Sequence, residues 1–214
     1  MKKIRTNTQL SLINIKRAGR PAKVDKGIRH TKRLTFTKPS AFHLTIKVKD
    51  NKADIKNKRI LKCLHHAIKR ARFQGLRILH YTLEYNHVHL VIESTHHSEL
   101  HKGMQAFGIS FAKQINKYKR LKGTVYKHRY HQRILKTKRE FKHAILYVFR
   151  NGIKHKRATS KIDPFNSFVF EKLIPADVQK TIEKSDFLKR MRGELNLILN
   201  FPRVFYLYRS YLWA

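Results

Sequence analysis

The chain has 214 residues, and its 49 Lys and Arg outnumber 13 Asp and Glu, which gives a formal charge of +36 at pH 7. A folded body with this charge repels itself unless a polyanion is close, so the composition predicts nucleic acid as the partner, with an anionic membrane surface as a weaker competitor. An apolar fraction of 41%, with 13 Phe and 9 Tyr, excludes a disordered basic tail because it supplies enough apolar surface for a core.

The first half of the chain predicts, in order, a basic arm, a strand, a helix and a hairpin of two strands. Residues 1–40 are rich in Lys and Arg and lack periodicity, which indicates a flexible arm. Apolar and polar residues alternate over 41–49, as in a half-buried strand. Residues 56–73 have helical spacing of apolar side chains. Residues 76–94 predict two strands joined by a turn at 84–86.

The second half predicts two more helices and a fourth strand. Helical spacing predicts helices over 99–119 and 138–155, with a loop and a strand over 124–135 between them. The order β-α-β-β-α-β-α predicts an α+β, ferredoxin-like antiparallel sheet with helices on one face and the other face free for a site. We therefore predict a main domain over 41–156 and an extension over 157–214 with a short helix and an aromatic, basic tail.

The cysteine content and the lengths of the apolar runs indicate the cellular compartment of the protein. A single cysteine, Cys63, excludes a disulfide framework and a cysteine-based zinc site. The longest apolar run, 144–149, is far too short to span a bilayer, and polar residues interrupt the apolar stretch near the N-terminus. We expect a cytoplasmic, nucleoid-associated protein without a membrane partner.

Two histidines in the third predicted strand are the first candidate site residues. His87 and His89 are separated by one residue, so both imidazoles leave the strand on the same face. Two imidazoles so placed can chelate one divalent metal ion. The alternative is a pair of solvated or phosphate-facing histidines on the open side of a sheet.

A tyrosine in the last predicted helix is the second candidate. Tyr147 and Asn151 are four residues apart and lie on one helical face. A phenol has a pKa of about 10, so as a nucleophile it needs an electrophile that a divalent cation has polarised, such as a phosphodiester. The alternatives are a core aromatic at position 147 and a helix C-cap at position 151.

These residues lie in segments that resemble a known family. The segment 86–93, Asn-His-Val-His-Leu-Val-Ile-Glu, resembles the HUH motif (His, bulky apolar residue, His) of single-tyrosine transposases. Residues 129–131, Arg-Tyr-His, and residues 147–151, Tyr-Val-Phe-Arg-Asn, followed by a basic stretch, resemble the later motifs of that family. The version most similar to this chain is the REP-associated tyrosine transposase group of the IS200-like superfamily, and the resemblance covers about residues 20–156.

The resemblance implies a specific chemistry. Members cut single-stranded DNA beside a hairpin through a 5′-phosphotyrosine intermediate and rejoin it without ATP. By position, Tyr147 is then the nucleophile, and His87, His89 and Asn151 hold Mg²⁺ or Mn²⁺. The implied partner is single-stranded or hairpin DNA rather than a small molecule. The resemblance leaves open a monomer or a homodimer that exchanges the tyrosine helix.

Other basic residues are candidates for DNA contact, in the arm, near the end of the second helix or in the segments that resemble the family. For the arm, a solvated segment without a DNA role is an equal alternative. The candidates are Arg17, Arg20, Lys23, Arg29, Arg33, Lys113, Lys117, Arg120, Arg129 and Lys154.

Two other functions fit parts of the sequence. A non-catalytic protein of the same fold that binds hairpins or RNA has the same charge and sheet, but predicts neither a metal nor a role for Tyr147. A relaxase or replication initiator with an HUH motif is more remote, because such proteins are normally larger and this chain has no helicase P-loop.

Overall fold

The computed structural model describes residues 35–154, 163–167 and 186–199, together with positions 180, 183 and 184. Most of the predicted arm and part of the predicted extension lie outside these residues, so the predicted domain boundaries stay predictions. No helix in the described part of the chain combines the length and apolarity needed to cross a membrane.

Four strands form one antiparallel sheet in the order β2-β3-β1-β4. This order is the one expected of a split β-α-β arrangement, so the predicted ferredoxin-like fold is confirmed. The central pair is β3 and β1. The strands are β1 (Ser40–Lys47), β2 (Arg77–Leu83), β3 (His87–Ser94) and β4 (His131–Leu135).

Two of the helices begin where a side chain accepts a hydrogen bond from one of their first N–H groups. Asn57 Oδ1 accepts a hydrogen bond from the Ile60 N–H at 3.0 Å at the start of the first helix. At the third, Thr137 Oγ1 accepts from the Glu140 N–H at 3.1 Å. The second begins at His97, one residue after a cap without a side-chain hydrogen bond. The helices are α1 (Lys58–Arg72), α2 (His97–Lys119), α3 (Lys138–Lys154) and α4 (Asp186–Ile198).

The helices divide between the two faces of the sheet. Buried side chains of α1 and α2, such as Leu64 and Phe107, share one core with Phe42 of β1. Phe141 and Val148 of α3 belong to a second core that lies against the opposite face. The sequence predicted that the opposite face stays open, whereas α3 covers one end of it. The apolar stripe of α3 requires a partner, and this end of the sheet supplies one.

A short segment of the predicted extension, 163–167, closes the edge of β2. The Leu83 N–H donates to the Phe165 carbonyl at 2.8 Å, and the Tyr81 N–H donates to Ser167 Oγ at 3.0 Å. Asn166 Nδ2 donates to the carbonyl of Phe149 in α3 at 3.1 Å. The segment therefore ties the C-terminal half of α3 to the sheet.

A glycine in α2 provides a test of this packing. A Cβ added at Gly103 would lie 2.3 Å from Leu76 Cβ, whereas a Cβ at Gly108 would be 3.7 Å from the ring of Tyr126. We expect Gly103→Ala to lower the free energy of unfolding by about 1–3 kcal/mol, because Leu76 Cβ cannot move without its backbone. The matched change Gly108→Ala should be neutral or stabilising by up to about 1 kcal/mol, because alanine favours helix. Urea unfolding of both variants measures this, and equal stabilities would contradict the close approach of α2 to Leu76.

Candidate functional site

The candidate site is centred on His89, in the middle of β3. Its cross-strand neighbours are Thr45 on β1 and Thr82 on β2. His89 is buried, although its face of the sheet is covered by α3 only at one end. Alternation along β3 brings His87 to the same face, and the ring centroids of the two histidines are 4.7 Å apart. The two imidazoles are thus adjacent, as their spacing predicts.

Tyr147 of α3 meets His89 across the sheet face. Its hydroxyl oxygen lies 3.4 Å from His89 Nε2, and the two rings are nearly perpendicular with centroids 5.1 Å apart. The Tyr147 side chain is 41% exposed, so it is not a core aromatic. The apolar stripe of α3 turns toward the sheet and leaves this phenol at the border of the covered and open parts of the face.

Two residues of β1 that the sequence analysis did not select also belong to the site. His43 Nε2 and Thr45 Oγ1 lie 3.1 Å and 3.0 Å from His89 Nδ1. The ring of His43 also contacts the ring of Tyr147, with centroids 5.6 Å apart. The available signal was the alternation of β1, which puts His43 and Thr45 on one face without showing what that face meets.

Asn151 lies one helical turn beyond Tyr147 and is buried. Because α3 continues to Lys154, Asn151 is inside the helix and does not serve as its C-cap. Within the part of the chain that the structure describes, neither Oδ1 nor Nδ2 has a hydrogen-bond partner. A buried polar group left unsatisfied costs about 1–3 kcal/mol, so this amide is a candidate for satisfaction by a ligand.

The donor set is consistent with a divalent cation. The described part of the chain contains no group of three or more His, Cys, Asp or Glu arranged to hold a metal. Two imidazoles and one orphaned amide oxygen would make three donors of types found in transition-metal and Mn²⁺ sites. A cation held there would still offer coordination positions to a phosphate oxygen and to water.

The phenol of Tyr147 is not activated by its protein surroundings. Burial and the negative charge of Glu84 raise its pKa above the usual value of 10. Glu84 is buried, accepts a hydrogen bond from Thr82 Oγ1 at 3.0 Å and pairs with Lys56 Nζ at 3.4 Å. Lys56 also pairs with Asp163 at 2.8 Å. At neutral pH the phenol therefore stays protonated unless a positive charge joins the site.

His43 is kept neutral by its position. Burial, followed by the positive charge of Arg133 and an interaction with His131, lowers the pKa of His43 from 6.5 to about 4. Arg133 is its cross-strand neighbour on β4. Neutral His43 can accept or donate one hydrogen bond at Nε2, which suits its contact with His89.

This pKa predicts a loss of stability in acid. The unfolded chain binds a proton at His43 near pH 6.5 and the folded chain only near pH 4. The contribution of neutral His43 to the free energy of unfolding is therefore present above pH 6.5 and is lost as the pH falls toward 4. Its upper limit is on the order of 3 kcal/mol. We expect the free energy of unfolding, measured in urea, to change less between pH 7 and pH 4.5 in His43→Gln than in the wild-type protein. The same change at exposed His101 is the control, and equal pH dependence in wild type and His43→Gln would contradict the prediction.

The candidate DNA-contact residues lie on different sides of the molecule. Exposed Lys113, Lys117 and Arg120 belong to α2 and its C-terminal end, on the α1 and α2 side of the sheet and not on the side of Tyr147. Exposed Arg129 precedes β4, and Lys154 is the last residue of α3. The candidates in the arm, Arg17, Arg20, Lys23, Arg29 and Arg33, lie outside the described residues.

Two basic residues that the sequence analysis did not select flank the site. Lys47 is the cross-strand neighbour of His87, and Arg133 is that of His43. Both share the sheet face of the histidines, because directly paired residues point to the same side. They are better placed than the α2 lysines to contact a phosphate near Tyr147.

Comparison with known proteins gives a match in structure but not in sequence. No family model and no curated protein matches the chain. A solved structure of a REP-associated tyrosine transposase bound to a REP hairpin is similar with a TM-score of 0.57 and 16% identity, over 69% of this chain and 89% of the other. The chain therefore has the fold of that transposase, in agreement with the resemblance in the motifs.

Two other solved structures are similar over 60% of this chain with TM-scores of 0.38. One is described as a transposase from Deinococcus radiodurans, with 16% identity over 99% of that chain. The other is a bacterial tRNA(His) guanylyltransferase-like protein in complex with GTP, with 10% identity over 70% of that chain. Similarity at this level carries no functional information.

Proposed function

We propose that this protein is a metal-dependent tyrosine transposase that cleaves and rejoins single-stranded DNA beside a hairpin. The supporting observation is the 3.4 Å approach of the Tyr147 hydroxyl to His89 Nε2, with the His87 ring beside it. Tyr147 of α3 lies 58 positions from His89 of β3, yet the tyrosine and the two histidines meet on one sheet face, as an enzyme requires and a coating protein does not. The transposase-like fold is consistent with this function.

In the proposed reaction the Tyr147 hydroxyl releases its proton to water, and Tyr147 Oη attacks the scissile phosphorus. A phosphotyrosine bond forms at the 5′ side, the bond to the 3′ oxygen breaks, and that oxygen leaves as a free 3′-OH after taking up a proton. The phosphodiester energy is retained in the covalent link, so the reverse attack by a 3′-OH rejoins the strand without a nucleotide cofactor.

The residues around Tyr147 have separate tasks. His87, His89 and Asn151 are the groups that would hold Mg²⁺ or Mn²⁺. When bound, the cation would supply charge neutralisation at the non-bridging phosphate oxygens and favour the phenolate. Lys47 and Arg133 add positive charge on the same face and can bind the flanking phosphates.

All of these groups come from one chain. Tyr147 contacts the His89 of its own chain, so a single copy contains the nucleophile and the proposed ligands. We therefore propose a monomer as the active unit. An exchange of α3 between two copies is not needed to assemble the site.

A covalent-adduct assay tests the proposal. Hairpins from the DNA flanking the gene, carrying a labelled single-stranded extension, are incubated with the protein and Mn²⁺ and separated under denaturing conditions. We expect a labelled protein band with Mn²⁺ and none after chelation. Hairpin binding without any adduct, and without dependence on Mn²⁺, would favour the non-catalytic nucleic-acid-binding protein instead.

A further inference from the structure

The surroundings of His89 Nδ1 differ from those of its Nε2. Nδ1 faces β1, where Thr45 Oγ1 is 3.0 Å away and His43 Nε2 is 3.1 Å away. Nε2 faces the Tyr147 hydroxyl at 3.4 Å. The ring therefore has one nitrogen directed at β1 and the other directed at the proposed site of reaction.

A neutral imidazole carries one N–H and one lone pair, so the partners of one nitrogen determine what the other can do. If His89 Nδ1 carries the proton, Thr45 and His43 accept it and the Nε2 lone pair is presented to Tyr147. If His89 Nε2 carries the proton, Thr45 and His43 donate to Nδ1, and Nε2 has no lone pair for a metal. Only the first arrangement is compatible with ligation through Nε2.

We propose that Thr45 and His43 are positioning residues that hold the proton of His89 on Nδ1 and thereby direct its Nε2 lone pair toward Tyr147. This inference rests on the proposed function for its purpose, but the protonation of His89 can be measured by itself. Neither residue touches the reacting atoms in this assignment, and each acts through His89.

The arrangement of the sheet makes the two residues suited to this task. Thr45 is the direct cross-strand neighbour of His89, and His43 lies two residues along β1 on the same face. His89 is only 5% exposed, so water cannot readily replace a missing partner. On the other flank, the hydroxyl of Thr82 donates to Glu84 at 3.0 Å and is committed there.

The first measurement uses the metal-free protein. Long-range proton–nitrogen NMR spectra of isotope-labelled histidine distinguish a protonated Nδ1 from a protonated Nε2. We expect wild-type His89 to carry its proton on Nδ1, and the double variant Thr45→Val, His43→Phe to lose this preference. A proton on Nε2 in wild type, or an unchanged Nδ1 proton in the double variant, would overturn the proposal.

The second measurement is Mn²⁺ affinity by calorimetry in the absence of DNA. Thr45→Val should weaken binding about tenfold and the double variant about a hundredfold, the range found when groups that orient metal ligands are removed. Thr45→Ser keeps the hydroxyl and should bind Mn²⁺ as tightly as wild type does. If Thr45→Val weakened binding only by disturbing the packing, Thr45→Ser would weaken it too. Thr82→Val, on the other side of His89, is the matched control and should bind Mn²⁺ as wild type does.

The two proposals fail in different ways. If wild type binds no Mn²⁺, the proposed metal-dependent function fails, while the NMR result still decides the role of Thr45 and His43. If wild type binds Mn²⁺, and both Thr45→Val and the double variant bind it as tightly as wild type does, the positioning role is wrong and the metal site stands.

Discussion

Replacing Tyr147 by phenylalanine is expected to abolish the covalent protein–DNA adduct completely and to leave hairpin binding unchanged. The substitution removes one hydroxyl from a side chain that is 41% exposed, so the fold has little to lose. Surface changes of this kind alter free energies by about 0.5 kcal/mol, which corresponds to roughly twofold in binding. Denaturing gels measure the adduct, and fluorescence anisotropy with the same labelled hairpin measures binding.

Tyr118 provides the matched control. It is 40% exposed and lies on α2, which packs on the opposite face of the sheet from α3. Tyr118→Phe should form adduct at the wild-type rate. Adduct that persists in Tyr147→Phe would assign the nucleophile to another residue, and loss of hairpin binding in the same variant would indicate a structural role instead.

Hairpin binding is expected to weaken steeply with salt. If six to ten phosphates are neutralised, affinity falls about 10³- to 10⁵-fold between 50 and 200 mM salt, because each contact releases condensed counterions. With 49 Lys and Arg and a formal charge of +36, the chain has enough basic side chains for contacts of this number. The measurement is a series of anisotropy titrations with Tyr147→Phe, which avoids covalent trapping.

Individual contacts change the slope of this dependence. Lys113 and Lys117 are exposed on α2, and changing both to Gln should reduce the slope of log K against log salt by about two if each binds a phosphate. The same change at Lys189 and Arg190 of α4 removes equal charge at positions without a predicted DNA role. A flat salt response, or equal slopes in both double variants, would contradict electrostatic binding through α2.

The strands, the helices and the common face of His87 and His89 could be predicted because they depend on short-range periodicity. Alternation over two residues determines which side chains of a strand share a face, and recurrence near 3.6 residues determines the apolar side of a helix. The ferredoxin-like order follows from the sequence of elements. The catalytic and metal-binding roles of Tyr147, His87, His89 and Asn151 stay predictions, as does their cation.

The partners of His89 could not be predicted from the sequence. Thr45 and His43 lie 44 and 46 positions away from it, and they meet it only because β1 and β3 pair in one particular register. A shift by one residue would turn both side chains to the opposite face. Likewise, Lys56 pairs with Asp163 across 107 positions, because the 163–167 segment returns to the edge of β2.

Composition and local patterns establish the charge, the order of elements, the common face of the two histidines and the motifs that link them to a tyrosine. The packing of the folded chain establishes that α3 lies on the face opposite α1 and α2, that Tyr147 approaches Nε2 of His89, and that β1 contacts the other ring nitrogen. Periodicity defines which side of each element is apolar, but the face that an element covers depends on long-range packing and strand register, which no local pattern records.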